Sequence, residues 1–353
     1  MSKAGKWLLI FGIIALVSAI IFGCTVAIFG VKDNNYGVVV DGHDILSGNW
    51  TLGGTNMGRS GIIFRHDDSN VSYDFEKGKT YTADFDAEGL SDIKIGLASC
   101  KAAVSCTDTG RINIAYTSGN APVEFKAELK DGVLDISEKI RLSIFALGSI
   151  KNAELNVELP RALYNSLDID LASGGVTARE LKLGDLKANL ASGSLDLELF
   201  AERLDLNVAS GNASVKNITD ESADNIVINV ASGTVELNGF GSDRTKAALA
   251  SGKVTLSGIS GSVKGEIMSG TLTLGYSEWN DDLSIELASG RADVTLPSGS
   301  GAEIDCEQLS GKTEVSLDSD SMTLGKNSHV TVGGANIHKI DVDGASGSVK
   351  IHN

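Results

Sequence analysis

Eight serines stand in one local setting along this chain, and each is followed by glycine: Ser173-Gly174, Ser192-Gly193, Ser210-Gly211, Ser232-Gly233, Ser251-Gly252, Ser269-Gly270, Ser289-Gly290 and Ser310-Gly311. Successive serines lie 19, 18, 22, 19, 18, 20 and 21 residues apart. A hydroxyl that attacks a substrate must be singular and must sit beside a histidine base. Here the same serine is offered eight times, and no G-x-S-x-G elbow occurs. The pattern is that of a turn: serine hydrogen-bonds nearby backbone in a bend, and glycine is expected to take φ > 0 there.

The remaining chemistry-bearing residues are scattered. None of His43, His66, His329, His338 and His352 has metal-ligand spacing to a cysteine or another histidine. "DSDSM" (Asp318 to Met322) and "DVDGA" (Asp341 to Ala345) open like calcium loops, but Met322 and Ala345 occupy the third ligand positions and no glutamate closes either loop. "SGRAD" is not an adhesion tripeptide, because Ala292 interrupts the order. No metal, cofactor or catalytic residue is assigned. Tyr276 and Trp279, in "GYSEWNDD", are the candidate contacts for a sugar or partner, the alternative being that they shield a corner of the fold. Cys100 and Cys106 are the candidate disulfide, and two free thiols are the alternative.

Period-2 segments flank each Ser-Gly. Leu195, Leu197 and Leu199 alternate with Asp196 and Glu198, then Leu204, Leu206 and Val208 alternate with Asp205 and Asn207. A unit of about twenty residues with two short strands cannot bury its apolar face alone and must stack on its neighbours. The fold class expected is therefore all-β, a parallel β-solenoid of ~20-residue coils that aligns one Ser-Gly above another. Residues 82 to 353 correspond to about thirteen such coils on that repeat length. "LASCKA" and "YTSGNA" are fainter copies, the first with Cys100 in the glycine slot and the second placing Ser118 nineteen residues after Ser99. "SMTLGKNSHVTVGGANIHKIDVDG" departs from the rhythm and reads as a degenerate coil or cap.

The first residues are of another kind. Trp7 to Val31 contains no charged residue, enough at ~1.5 Å per residue to cross a ~30 Å hydrocarbon core as one transmembrane helix. A lipoprotein anchored at Cys24 and a cleaved signal are the alternatives. Lys3 and Lys6 place the N-terminus in the cytoplasm, so the rest faces outward from a bacterial cell membrane. The net charge of -16 would repel phosphate backbones, which excludes a nucleic-acid partner. The expected organisation is a cytoplasmic start (1–6), a membrane helix (7–31), a linker or N-terminal cap (32–80) and the solenoid (81–353).

"YTADFDAEGLSDIKIGLASC", "FKAELKDGVLDISEK" and, most specifically, "AELNVELPRALYNSLDIDLASGGV" resemble the DUF4097 family over roughly residues 80 to 350. Members are described as adhesins of the bacterial envelope with β-solenoid repeats. The resemblance implies an extracytoplasmic binding or scaffold domain and brings no catalytic motif. The expected function is a membrane-anchored adhesin or scaffold whose partner is an envelope protein or a surface glycan. An accessory or sensor subunit of an envelope regulatory system is the first alternative. A polysaccharide-active enzyme comes third, since such activity needs long loops that these spacings do not provide.

Overall fold

The computed structural model describes residues 78–119, 123–142 and 153–353, with the backbone of four earlier strands at Val39–Val40, His43–Asp44, Gly61–His66 and Ser69–Asp74. The apolar stretch Trp7 to Val31, together with Cys24, lies outside the described residues. Every regular element described is a β-strand, and no described helix is long and apolar enough to cross a membrane. The chain divides into two compact units, one ending at Leu199 and one comprising Phe200–Asn353, with the division inside the strand Ser194–Val208.

The alternation of the sequence becomes a two-sided stack because residues of one parity point inward along every strand. Each coil lays one strand before its Ser-Gly corner and one after it, and each strand pairs in parallel with its equivalent in the next coil. In the C-terminal unit Ile226, Ile228 and Val230 sit in register with Thr245, Ala247 and Leu249 before the corner. Val235 and Leu237 are matched with Val254 and Leu256 after it. Of these inward residues all are buried, and Ile228, Val230, Val235, Ala247, Leu249, Val254 and Leu256 are wholly so. Burying each such aliphatic side chain contributes about 1.5–3 kcal/mol, so the thin core is sustained by many equal increments rather than by large aromatic anchors.

Chain order and spatial order part company in each unit. In the C-terminal unit the strands Leu283–Leu287 and Arg291–Thr295 do not meet the next coil in sequence, Ser300–Gln308 and Lys312–Leu317. Between the two coils lies the last coil of the chain: Asn336–Gly344 pairs in parallel with Leu283–Leu287 on one side and with Ser300–Gln308 on the other. Ser348–His352 does the same between Arg291–Thr295 and Lys312–Leu317. The N-terminal unit repeats the device. Asp92–Leu97 is flanked by Val133–Leu142 and Leu163–Leu171, and Lys101–Thr107 by Glu154–Pro160 and Gly175–Leu190.

The intervening segments become antiparallel caps. Asp320–Leu324 covers Lys312–Leu317, and Ser328–Gly333 covers Ser300–Gln308. At the other end Val123–Lys130 covers Val133–Leu142 through a tight turn at Asp131-Gly132, where φ is 50° and 78°, the Asp-Gly hairpin signature. Arg111–Thr117 covers Glu154–Pro160, and Thr80–Asp86 pairs with Arg111–Thr117 in turn. Parallel edges, which would template association, thus end on antiparallel strands.

These ends correct the coil count. Among the described residues the N-terminal unit stacks four two-strand levels and the C-terminal unit seven, not about thirteen in all, because cap strands consume sequence without adding a level. Ser118 is not a coil corner. It closes the antiparallel pair Thr80–Asp86/Arg111–Thr117, exchanging hydrogen bonds with Lys79. The irregular stretch after Leu317 resolves into two cap strands followed by a true coil. The crossover between them passes over residues 299–301 at Gly333 and Gly334. A Cβ on Gly334 would meet the carbonyl oxygen of Gly299 at 2.1 Å, and Gly333 has φ of 82°, so only glycine fits.

Candidate interaction surface

The repeated serines are built into the stack. The Oγ of Ser173 donates to the carbonyl of Ala98 at 3.0 Å, Ser192 to Ala172 at 3.0 Å, Ser232 to Ala209 at 3.1 Å and Ser251 to Ala231 at 3.2 Å. Ser269 donates to Ala250 at 3.0 Å and Ser289 to Met268 at 3.2 Å. Each hydroxyl reaches the residue just before the serine of the adjacent coil. Where spatial and chain order differ, the bond follows space: Ser346 donates to Ala288 and Ser310 to Ala345, both at 3.1 Å. A hydroxyl committed in this way is a stitch between coils. Ser192 and Ser210 fall in different units.

The corner glycines serve a purpose other than the one expected from sequence. None of Gly174, Gly193, Gly233, Gly252, Gly270, Gly290 and Gly311 has positive φ. Glycine is required by close approach: a Cβ on Gly252 would lie 2.3 Å from Val230 Cγ1 and 2.5 Å from the carbonyl oxygen of Gly233 in the coil beneath. Cys100 occupies this slot wholly buried. The amides of Ala98, Ser99 and Cys100 converge on Oε2 of Glu138, at 3.1, 2.8 and 2.8 Å. Three successive N–H groups closing on one oxygen form an anion nest, and the chain fills it with its own carboxylate. Glu138 is 3% exposed. Burial pushes its carboxyl above the ordinary value, opposed by the three amides and the Tyr116 hydroxyl.

Cys100 and Cys106 are free thiols. Cys100 immediately precedes the extended strand Lys101–Thr107 and Cys106 lies near its end, which at ~3.3 Å per residue holds them ~20 Å apart, far beyond the ~7 Å limit for a disulfide. Burial raises both thiols, that of Cys100 most strongly, so neither is activated as a nucleophile.

Tyr276 and Trp279 are inside the C-terminal unit, at 7% and 4% exposure. Their rings meet edge to face at 5.0 Å, Trp279 meets His338 of the inserted coil at 5.7 Å, and its Nε1 donates to the carbonyl of Gly301 at 2.9 Å. The faces that a sugar would stack on are used by the chain itself. His352 stands between Asp293 and Thr295, but both oxygens address the same ring nitrogen, at 2.8 and 3.3 Å, so the ring cannot pass a proton from hydroxyl to carboxylate.

Charged and polar side chains used by neither the core nor the corners line the outer face of the strands that precede the corners in the C-terminal unit. Register aligns Val227, Lys246, Lys264, Ser284, Asp341 and Asp305 in one column. A neighbouring column runs Asn207, Asn229, Ala248, Glu266, Glu286, Asp343 and Glu307. Lys264 Nζ lies 3.0 Å from Glu266 and 3.2 Å from Glu286, and Lys246 lies 3.2 Å from Glu266. A groove of about 460 Å³ is bordered by Arg244, Lys246 and Lys264. The same face continues into a second groove of about 540 Å³ bordered by Asp305, Glu307, His329 and Lys339, and both grooves touch Ser284 and Asp341. In the second groove His329 Nδ1 is 2.5 Å from Asp305, whose carboxylate holds the imidazole above its usual range. Lys339 bridges Asp305 and Asp341 at 3.2 and 2.8 Å. The face therefore passes from a basic-rimmed groove to an acidic one. Sequence reading identified outward acids such as Asp205, but not their columns, which depend on which coils adjoin.

No curated protein matches the chain. Solved structures similar to it include a candidate cell-adhesion protein from Clostridium sporogenes, 17% identical, over 78% of this chain and 99% of that one, with a TM-score of 0.23. A candidate lipid-binding protein from Parabacteroides distasonis is 15% identical over 78% and 98%, with a TM-score of 0.45. A candidate adhesin from the same species is 14% identical over 78% and 97%, with a TM-score of 0.44. Likeness of this size carries no argument about a ligand. The family model described as Toastrack DUF4097 matches residues 90–352, nearly the whole of the stacked strands, and the chain belongs to that family.

Proposed function

We propose that this protein is a membrane-anchored, extracytoplasmic binding or scaffold protein of the bacterial envelope, held by a transmembrane helix at Trp7 to Val31 with its N-terminus in the cytoplasm. The observation that supports it most is the division of labour among side chains. Inward residues make the core, corner serines stitch coils, and the charged columns with their two grooves remain facing out. Recognition by such a face needs no reacting group. Electrostatic complementarity along ordered charge columns selects a partner and sets its register.

The test is an affinity capture from detergent-solubilised membranes with the full-length chain, run beside a glycan array. A specific envelope protein or glycan retained by the native chain, and lost when Lys246 and Lys264 are changed to glutamate in a variant that still folds, supports the proposal. Retention unchanged by those substitutions would move binding to another face. Turnover of a polysaccharide by the purified chain would overturn it.

A further inference from the structure

The last coil of the chain occupies a slot. Residues 336–352 lie between two coils that precede them in sequence, hydrogen-bonded on both sides of both strands. The corner is stitched on both sides as well: Ala345, Ser346 and Ser348 donate backbone amides to Leu287, Ala288 and Gly290, while Leu309, Ser310 and Lys312 donate to Gly344, Ala345 and Gly347. These bonds are those of any other corner in the stack. Nothing in the backbone register depends on the segment being covalently part of the same molecule.

The repeat also supplies a competitor during folding. Until residues 336–352 are in place, the coil 300–317 finds on the coil 283–295 the same carbonyl of Ala288 and the same parallel edges that the last coil uses. Side chains select the inserted order: Trp279 against His338, Lys339 to Asp305, His352 to Asp293, and the Asn353 amide to Asp318 at 2.8 Å. The link into the slot is the short crossover Gly333-Gly334-Ala335, and the far end of the segment is Asn353. An element that joins through glycines and fills a generic slot has the properties of an exchangeable one.

We propose that residues 336–353 form an exchangeable strand pair, and that the slot between the coils 283–295 and 300–317 accepts this segment from a second copy of the chain. The product is a dimer, or a longer series of copies, joined by parallel strand insertion. This inference does not rest on what the charged face binds, although Lys339, Asp341 and Asp343 of the same segment also border the acidic groove.

The test uses full-length chains in detergent with Cys24 and Cys106 changed to serine. Asp293 and Lys350 are register partners in the slot. A chain carrying both Asp293→Cys and Lys350→Cys should form an intramolecular disulfide, which shows that the register is retained and the thiols can meet. Chains carrying one substitution each are then unfolded, mixed at high concentration and refolded. The expected result is a covalent heterodimer on non-reducing gels, amounting to several-fold more than in a mixture whose Lys350→Cys partner was never unfolded. The proposal is overturned if the double variant closes within itself while the mixed single variants stay monomeric at every concentration.

Discussion

At the residue scale, position within the repeat decides what a side chain does. Serine and glycine of one corner are unequal partners. Ser251→Ala removes one hydrogen bond and is expected to cost about 0.5–1.5 kcal/mol, whereas Gly252→Ala forces a methyl into backbone 2.5 Å away and should cost several-fold more. Urea denaturation of the two variants distinguishes a stitch from a close approach; equal losses would contradict it. Two buried polar residues, one in each unit, behave oppositely. Gln308 is 2% exposed with neither amide atom hydrogen-bonded, beside Gly344 of the inserted coil and at the place where coils such as 283–295 carry an aliphatic residue, there Leu287. Gln308→Leu should therefore stabilise the protein by about 1–2 kcal/mol, seen as a higher urea midpoint. Glu138 fills a need instead. Glu138→Leu leaves three amides without an acceptor and should cost about 2–4 kcal/mol. The carboxyl is raised in the folded state, so its folded form takes up a proton more readily than the unfolded one. Stability should fall as pH rises from the ordinary value of 4.5 through the folded value, and Glu138→Gln should flatten that slope.

At the scale of elements, the strands and their inward parity were legible in the sequence because period-2 alternation is local. Leu195, Leu197 and Leu199 are buried as their spacing implies. The turn role of Ser-Gly was legible too, but its reason was not. The sequence suggests positive φ, and the cause is a neighbouring coil that only the stack reveals. The order of coils at the ends could not be read, because each coil offers the same edges and the choice rests on non-local pairs such as Trp279 with Gly301. Tyr276 and Trp279 looked available for that reason: their cover comes from residues 301 and 338. Trp279→Ala should accordingly lower stability by about 3–5 kcal/mol, the cost of emptying a buried aromatic site, with calorimetry as the measurement. A variant as stable as the parent would place the ring outside the core.

For the whole molecule, the C-terminal unit supports an outer face whose charge pattern is set by coil order. Inserting Asn336–Gly344 brings Asp341 beside Ser284 and Asp305, which completes the acidic groove beyond the lysines. The end of the chain thus helps to build the surface proposed to bind. That proposal depends on display outside the cell, with the anchor at Trp7 to Val31. Labelling intact spheroplasts with a membrane-impermeant amine reagent, then mapping the modified lysines, tests it most directly. The expected result is labelling of exposed lysines such as Lys253 and Lys312 before lysis, with Lys3 and Lys6 modified only afterwards. Lysines of the stack that stay unlabelled until the cells are broken would contradict it.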